Sequence, residues 1–281
     1  MSFKTVFRST RKPAAALGAV AGAAALTLAV TAPANAAKAE HWSSEAKPTV
    51  VLVHGAFVDG SSWNGVIKRL QHHGYPVVAP ANPLRGLASD ADYLKSYLDS
   101  VKGPIVLVGH SYGGSVISQA AAGDPDVKAL VYIAAFAQDK GESVNELGSK
   151  FPATELGTAL NAVPFPLTGG GTGTDLYVKA DKFHDVIAPD VPTSVTDLAA
   201  AAQRPVSASV FDDKPTEAAW KTIPSWDLIT TQDHAIAPAE QRFMAERAHA
   251  HTIEIDSSHA APVSHPDAVT RIIERAAHTT S

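Results

Sequence analysis

The apolar runs of this chain carry almost no polar residues, and that feature constrains the fold most. TVVLV (49–53), PIVLVG (104–109) and ALVYIAAF (129–136) are continuous rather than alternating. A strand with one face in water alternates apolar and polar residues. A strand without alternation is buried on both faces, as in a parallel sheet covered by helices. PVVAP (76–80), SWDLITT (225–231) and HTIEID (251–256) extend the series. Helical patterns separate the runs at about 63–73, 89–101, 112–122 and 238–248, and a last one follows at about 266–277. This βαβα order predicts an α/β fold: a doubly wound, mostly parallel sheet of about six strands.

The alternation breaks between about 137 and 222. Pro152, Pro164, Pro166, Pro189, Pro192 and Pro205 fall there, with a Gly-rich TGGGTGT at 168–174. Helical pieces are expected at about 142–149, 153–161, 179–188 and 193–202. The segment reads as a small helical cap inserted over one end of the sheet, within a domain spanning 49–281. Phe151, Phe165, Tyr177 and Phe183 are its candidate pocket-lining residues.

The chain opens with Lys4, Arg8, Arg11 and Lys12, then an Ala-rich apolar stretch from Ala14 to Ala32, then Pro33-Ala34-Asn35-Ala36. A basic region, an apolar region and a small-x-small ending form the layout of a secretory signal peptide. Residues 1–36 are therefore expected to be removed, with 37–48 as a polar lead-in. Loss of four basic and no acidic residues takes the formal charge from −5 to −9. The expected product is a secreted protein without stable membrane association. No basic tract exceeds two residues, which removes an electrostatic footprint for nucleic acid. The chain has no Cys, which excludes a disulfide scaffold, a thiolate metal site and a Cys nucleophile.

Chemistry enters at Gly109-His110-Ser111-Tyr112-Gly113, a G-x-S-x-G between a predicted strand and a predicted helix. A Ser on so tight a turn needs Gly two positions either side, because Cβ atoms there would collide with backbone. The following helix N-terminus favours negative charge developing at the Ser. Ser111 is thus the candidate nucleophile. A hydroxyl needs a base, and the base needs a carboxylate.

In the chain order Ser, Asp, His, both partners should follow Ser111 at strand ends. Asp233 ends SWDLITTQD, and His259 follows HTIEID in SSHAAPVSHP. Rivals exist for each: Asp227 lies inside its strand run and Asp256 ends its strand. His265 precedes Pro266 and reads as the start of the last helix, with Ser264 as cap. His234 reads as a loop residue, and His110 as packing beneath the turn. The oxyanion donors expected are the N–H groups of Tyr112 and, after the first strand, of Ala56 in His54-Gly55-Ala56-Phe57.

HGAF, GHSYGG, TQDHAIAP and SSHAAPVSHP, in this order, resemble the α/β-hydrolase superfamily across roughly 48–278. The nearest resemblance is to small-capped bacterial hydrolases and to the plant methyl-esterase and hydroxynitrile-lyase group. Carried over by motif, it implies Ser111, Asp233 and His259 as triad, Ala56 and Tyr112 as oxyanion donors, and no cofactor. Plant hydroxynitrile lyases have Lys after the catalytic His and Thr after the first motif His. Here those positions hold Ala260 and Gly55, which disfavours cyanohydrin cleavage. Dehalogenases and epoxide hydrolases of this fold use Asp where Ser111 stands.

The expected function is therefore hydrolysis of a small-molecule carboxylic ester through an acyl-enzyme. The same triad also serves amides, thioesters, lactones and carbon–carbon bonds, and the same scaffold could carry a ligand-binding protein. Gly170-Gly171-Thr172-Gly173-Thr174-Asp175 matches half of a calcium-binding repeat. Such sites need stacked copies, so the segment reads as a flexible loop. No metal site is expected.

Overall fold

The computed structural model describes residues 47–279, so the expected export segment and most of the lead-in lie outside the described residues. The first half alternates β1 (Thr49–Val53), α1 (Asn64–His72), β2 (Val77–Val78), α2 (Leu87–Leu98), β3 (Ile105–His110), α3 (Tyr112–Ala120) and β4 (Val127–Ile133). The inserted segment contributes α4 (Val144–Gly148), α5 (Leu156–Ala159), β5 (Leu160–Pro166), β6 (Thr172–Val178), α6 (Ala180–Ile187), α7 (Thr193–Ala202) and β7 (Val206–Ser207). The chain then returns through β8 (Ser225–Thr230), α8 (Pro238–Arg247), β9 (His251–Ile255), α9 (Ala261–Ser264) and α10 (Pro266–His278).

Six strands form one sheet in the order β2-β1-β3-β4-β8-β9, and every neighbouring pair is parallel. The apolar runs explain why. Val50 and Leu52 point to one face and pack with Trp63, Leu70, Val269 and Ile273. Val51 and Val53 point to the other and pack with Leu94, Leu98, Val116 and Ile117. Both sets are buried, so the period of two along the strand feeds two cores at once. α10 shows the matching helical logic: Val269, Ile272, Ile273 and Ala276 form one buried stripe. Pro266 occupies its first turn, Asp267 meets the positive end, and Arg275 and His278 meet the negative end. Ser264 is not its cap; the Ser264 hydroxyl instead contacts His265 Nδ1 at 2.9 Å and the Ala260 carbonyl at 3.3 Å.

The inserted segment holds the expected helices and, in addition, a three-stranded sheet ordered β5-β6-β7. β5 and β6 form an antiparallel hairpin, Leu160 facing Val178 and Pro166 facing Thr172. Of the segment 170–175 read as a flexible loop, Thr172 to Asp175 belong to β6, and Gly170 and Gly171 form the turn with Gly169, the three at φ of 95° (Gly169), 102° (Gly170) and 91° (Gly171). Only glycine adopts such angles freely, so the run is a tight connection. Pro164 and Pro166 suggested a break. They are accommodated because β5 is an edge strand, where a missing N–H faces no partner.

The order of the strands locates the site. From β1 the chain runs outward to β2, then crosses back to place β3 on the other side of β1. The carboxyl ends of β1 and β3 therefore flank a switch point, where open α/β sheets bind ligands.

Candidate active site

Ser111 sits at that switch point between β3 and α3, with φ 53° and ψ −127°. A left-handed conformation at a non-glycine residue is strained, and it persists because the surroundings dictate it. A Cβ on Gly109 would lie 2.6 Å from the Gly113 carbonyl oxygen, and one on Gly113 would lie 2.4 Å from that of Val53. A Cβ on Gly55 would lie 2.7 Å from the Ser111 Cβ. The glycines thus let the turn, α3 and the loop after β1 come together at backbone contact.

Asp233 follows β8 and His259 follows β9, and the structure brings them together: His259 Nδ1 lies 2.8 Å from Asp233 Oδ2. An ionised carboxylate only accepts, so Nδ1 carries the hydrogen and the lone pair of the neutral ring is on Nε2. Asp233 is buried and held from several sides. Its Oδ1 accepts from the N–H groups of Ala235 at 2.7 Å and Ile236 at 2.9 Å. Its Oδ2 also accepts from Thr230 Oγ1 at 2.8 Å and Gln241 Nε2 at 2.9 Å. Burial alone would raise this carboxyl. The charge of His259 and these hydrogen bonds outweigh it and hold the group below its ordinary range.

Ser111, His259, Ala56 and Tyr112 line one cavity of about 20 Å³, room for about one water. The structure records no hydrogen bond between Ser111 and His259; such contacts are often long before substrate binds. Tyr112 N–H is the first of α3, where helix N–H groups lack an intrahelical acceptor. The Tyr112 hydroxyl is tied back to buried Asp90 at 2.9 Å. Ala56 begins the turn after β1. That loop is braced by His54, whose Nε2 accepts from Asn82 N–H at 3.0 Å while Nδ1 meets the Gly55 carbonyl at 2.9 Å.

The rivals are elsewhere. Asp227 is buried in β8, opposite Tyr132 of β4, and burial pushes its carboxyl well up. Asp256 is exposed. His234 is half exposed, its ring nitrogen 3.1 Å from the Asp185 carbonyl. His110 packs under the turn, its Nε2 donating to the His259 carbonyl at 2.9 Å, and burial pushes it down to about 3.

Some supporting residues were not anticipated. Thr230 and Gln241 cradle Asp233, and Asp190 of the inserted segment accepts from the backbone N–H of Ser258 at 3.0 Å. Gln241 lies eight positions after Asp233, in the first turn of α8, and its place just after the acid loop was the available signal. Asp190 had none, because its partners are 67 and 68 residues away. Two larger cavities adjoin the small one. A chamber of about 660 Å³ shares Phe136, Leu156, Phe211 and Ala235 with it. A chamber of about 200 Å³ shares Phe57 and Ile187. Phe151 lines the first and Phe183 the second. Tyr177 lines a separate cleft, and Phe165 packs over Gly173 with Arg85 beside its ring. Among the described residues no group of three His, Asp or Glu converges to hold a metal, and no helix is long and apolar enough to cross a membrane.

A parallel sheet with a Ser at its switch point and an Asp–His pair at the later strand ends describes the alpha/beta hydrolases. The chain belongs to the alpha/beta hydrolase family, which it matches over residues 50–272. It is 28% identical to an alpha/beta hydrolase from Aspergillus novofumigatus over 252 residues, spanning 82% of this chain and 97% of that protein. Its fold is similar to that of a polyneuridine aldehyde esterase, with TM-score 0.72, 19% identity, and coverage of 82% of this chain and 98% of that one. A pyrethroid hydrolase from Sphingobium faniae JZ-2 is similar at TM-score 0.68 and 22% identity, with coverage of 82% and 97%.

Proposed function

We propose that this protein is a serine hydrolase that cleaves carboxylic esters through an acyl-enzyme. The observation that carries the reading is the 2.8 Å contact of His259 Nδ1 with Asp233, beside a Ser111 that lines the same cavity as His259. Ser111 Oγ attacks the ester carbon while His259 Nε2 takes its proton. The carbonyl oxygen becomes an oxyanion held by the N–H groups of Ala56 and Tyr112. Collapse breaks the bond to the alkoxy oxygen, which receives the proton from Nε2 and leaves as an alcohol. Water then adds to the acyl-Ser111 carbon, giving its proton to Nε2. Release of the acid returns that proton to Ser111 Oγ. Asp233 stays ionised throughout, fixing the tautomer of His259 and stabilising its charged form.

The esterase and pyrethroid hydrolase with the same fold support this reading, as does a chamber of about 660 Å³ beside the Ser. The reading also takes the protein to be exported and cut after Ala36, which N-terminal sequencing of the mature product tests. A chromogenic ester series of increasing acyl length, with Ser111→Ala beside the wild type, tests the activity. Turnover in the wild type and a loss of several orders of magnitude in the variant are expected. An unchanged rate in Ser111→Ala overturns the mechanism.

A further inference from the structure

The larger chamber holds a group that the mechanism does not use. Glu240, in the first turn of α8, lines it and is 4% exposed, and its Oε1 has no hydrogen-bond partner among the described residues. Buried polar atoms in folded proteins are nearly always partnered, because an unmade bond forfeits the hydration lost on burial. The acids nearest in effect are both already matched. Asp233 has His259 and four further donors. Glu142 has Arg247 at 2.9 Å and Lys150 at 2.6 Å. Glu240 alone among the three lacks a counter-charge.

The rest of the wall has a consistent character. Phe136, Phe151 and Phe211 contribute aromatic surface, Asp212 adds a second carboxylate, and among the described residues no Lys, Arg or His lines the chamber. Aromatic faces and carboxylates without a counter-charge attract cations, and both repel anions. The chamber shares four lining residues with the cavity at Ser111, so one end of a bound ester reaches it.

We propose that Glu240 determines specificity in this chamber by pairing with an ammonium group carried by the ester substrate. Burial, with the negative charges of Asp233 and Glu142, pushes the Glu240 carboxyl up to about 7. Near neutral pH it is therefore close to its ionisation midpoint, and an ammonium group supplies the missing charge and draws it into the ionised form. A neutral ester of the same shape leaves Oε1 unpaired. The inference rests on the esterase reading above and names its substrate class.

Two matched pairs test it, one for each side of the ester. On the alcohol side they are acetylcholine and 3,3-dimethylbutyl acetate, followed by acid release. On the acyl side they are the 4-nitrophenyl esters of 4-(trimethylammonio)butanoate and of 5,5-dimethylhexanoate. In each pair a quaternary nitrogen replaces a quaternary carbon. Wild type should favour the cation in one pair by about 10- to 100-fold in kcat/KM, the worth of a desolvated cation held by aromatic faces and a paired charge. In Glu240→Gln that ratio should fall to within about threefold. The ratio within each variant is read, so partial loss of folded enzyme cancels. In the wild type alone, choline should compete with a neutral ester at a concentration at least about tenfold lower than 3,3-dimethylbutanol. Ratios near one on both pairs, a preference kept by Glu240→Gln, or equal inhibition by the two alcohols overturns the proposal and leaves the esterase reading standing, provided the neutral esters turn over. No turnover of any of the four esters overturns both.

Discussion

Asp233→Asn tests the catalytic assignment most directly, and the structure fixes what the substitution does. Oδ1 accepts from two backbone N–H groups, Ala235 and Ile236, at 2.7 and 2.9 Å. Those amides cannot turn, so the new side-chain oxygen stays with them and the new NH2 takes the place of Oδ2. There it meets three groups that donated to Oδ2: the Thr230 hydroxyl, Gln241 Nε2 and His259 Nδ1. Thr230 can rotate its hydroxyl. Gln241 cannot flip its amide without losing the bonds from Thr230 N to Oε1 at 3.0 Å and from Nε2 to the Ile236 carbonyl at 3.0 Å. His259 is left to adapt, and it does so by accepting at Nδ1 and carrying its hydrogen on Nε2. The lone pair facing Ser111 is then gone. The expected loss in kcat is about 10⁴-fold, on the order of 5.5 kcal/mol of barrier. Initial rates on a chromogenic ester measure it, with circular dichroism and thermal melting confirming the fold. A folded variant that keeps kcat within about tenfold of wild type would refute the tautomer argument and the role given to Asp233.

Two further outcomes follow from the packing and the charge. Gly113→Ala places a Cβ 2.4 Å from the Val53 carbonyl oxygen and 3.0 Å from that of His54, both backbone atoms that cannot yield. It should cost at least about 2 kcal/mol in denaturant unfolding and displace the Ala56 loop from Tyr112, lowering kcat as well. Gly60→Ala meets nothing nearer than 3.5 Å and serves as the benign control; equal behaviour of the two would contradict the close-contact account. For Glu240, the folded carboxyl is raised from 4.5 to about 7, so its contribution is fully present below about pH 4.5 and lost as pH rises toward 7. Measured against Glu240→Gln, wild type should lose about 3 kcal/mol of stability between pH 4.5 and pH 8. A stability difference that does not change across that window would show that Glu240 ionises as in water.

The unalternating runs identified a buried parallel sheet because a strand covered on both faces leaves no position for a polar residue. Val50 to Val53 feed two cores for that reason, and β1, β3 and β8 follow their runs to within one residue. β4 starts two residues before its run, PVVAP pairs only at Val77 and Val78, and β9, at the sheet edge, is largely exposed. The Ser111 turn was legible because the glycines it needs are local, two positions away on either side. The hairpin in the inserted segment was not legible. Its prolines and glycines signal a break unless the strand is known to lie at an edge, and edge position is a property of the assembled sheet.

The sequence by itself determined the layered architecture and named Ser111, Asp233 and His259 as candidates, since strand periodicity and the steric demands of a tight turn act within a few residues. Only the tertiary structure decided how they meet and what surrounds them. The Asp233–His259 contact spans 26 positions and the tie from Asp190 to Ser258 spans 68. Glu240 shows the difference most clearly. In sequence it is an acid in the first turn of a helix, a favourable and ordinary place. In the folded protein Gly148 of α4 closes on its carboxylate, and other parts of the inserted segment wall the chamber it lines. Desolvation depends on everything packed within a few ångströms, and no local pattern carries that information.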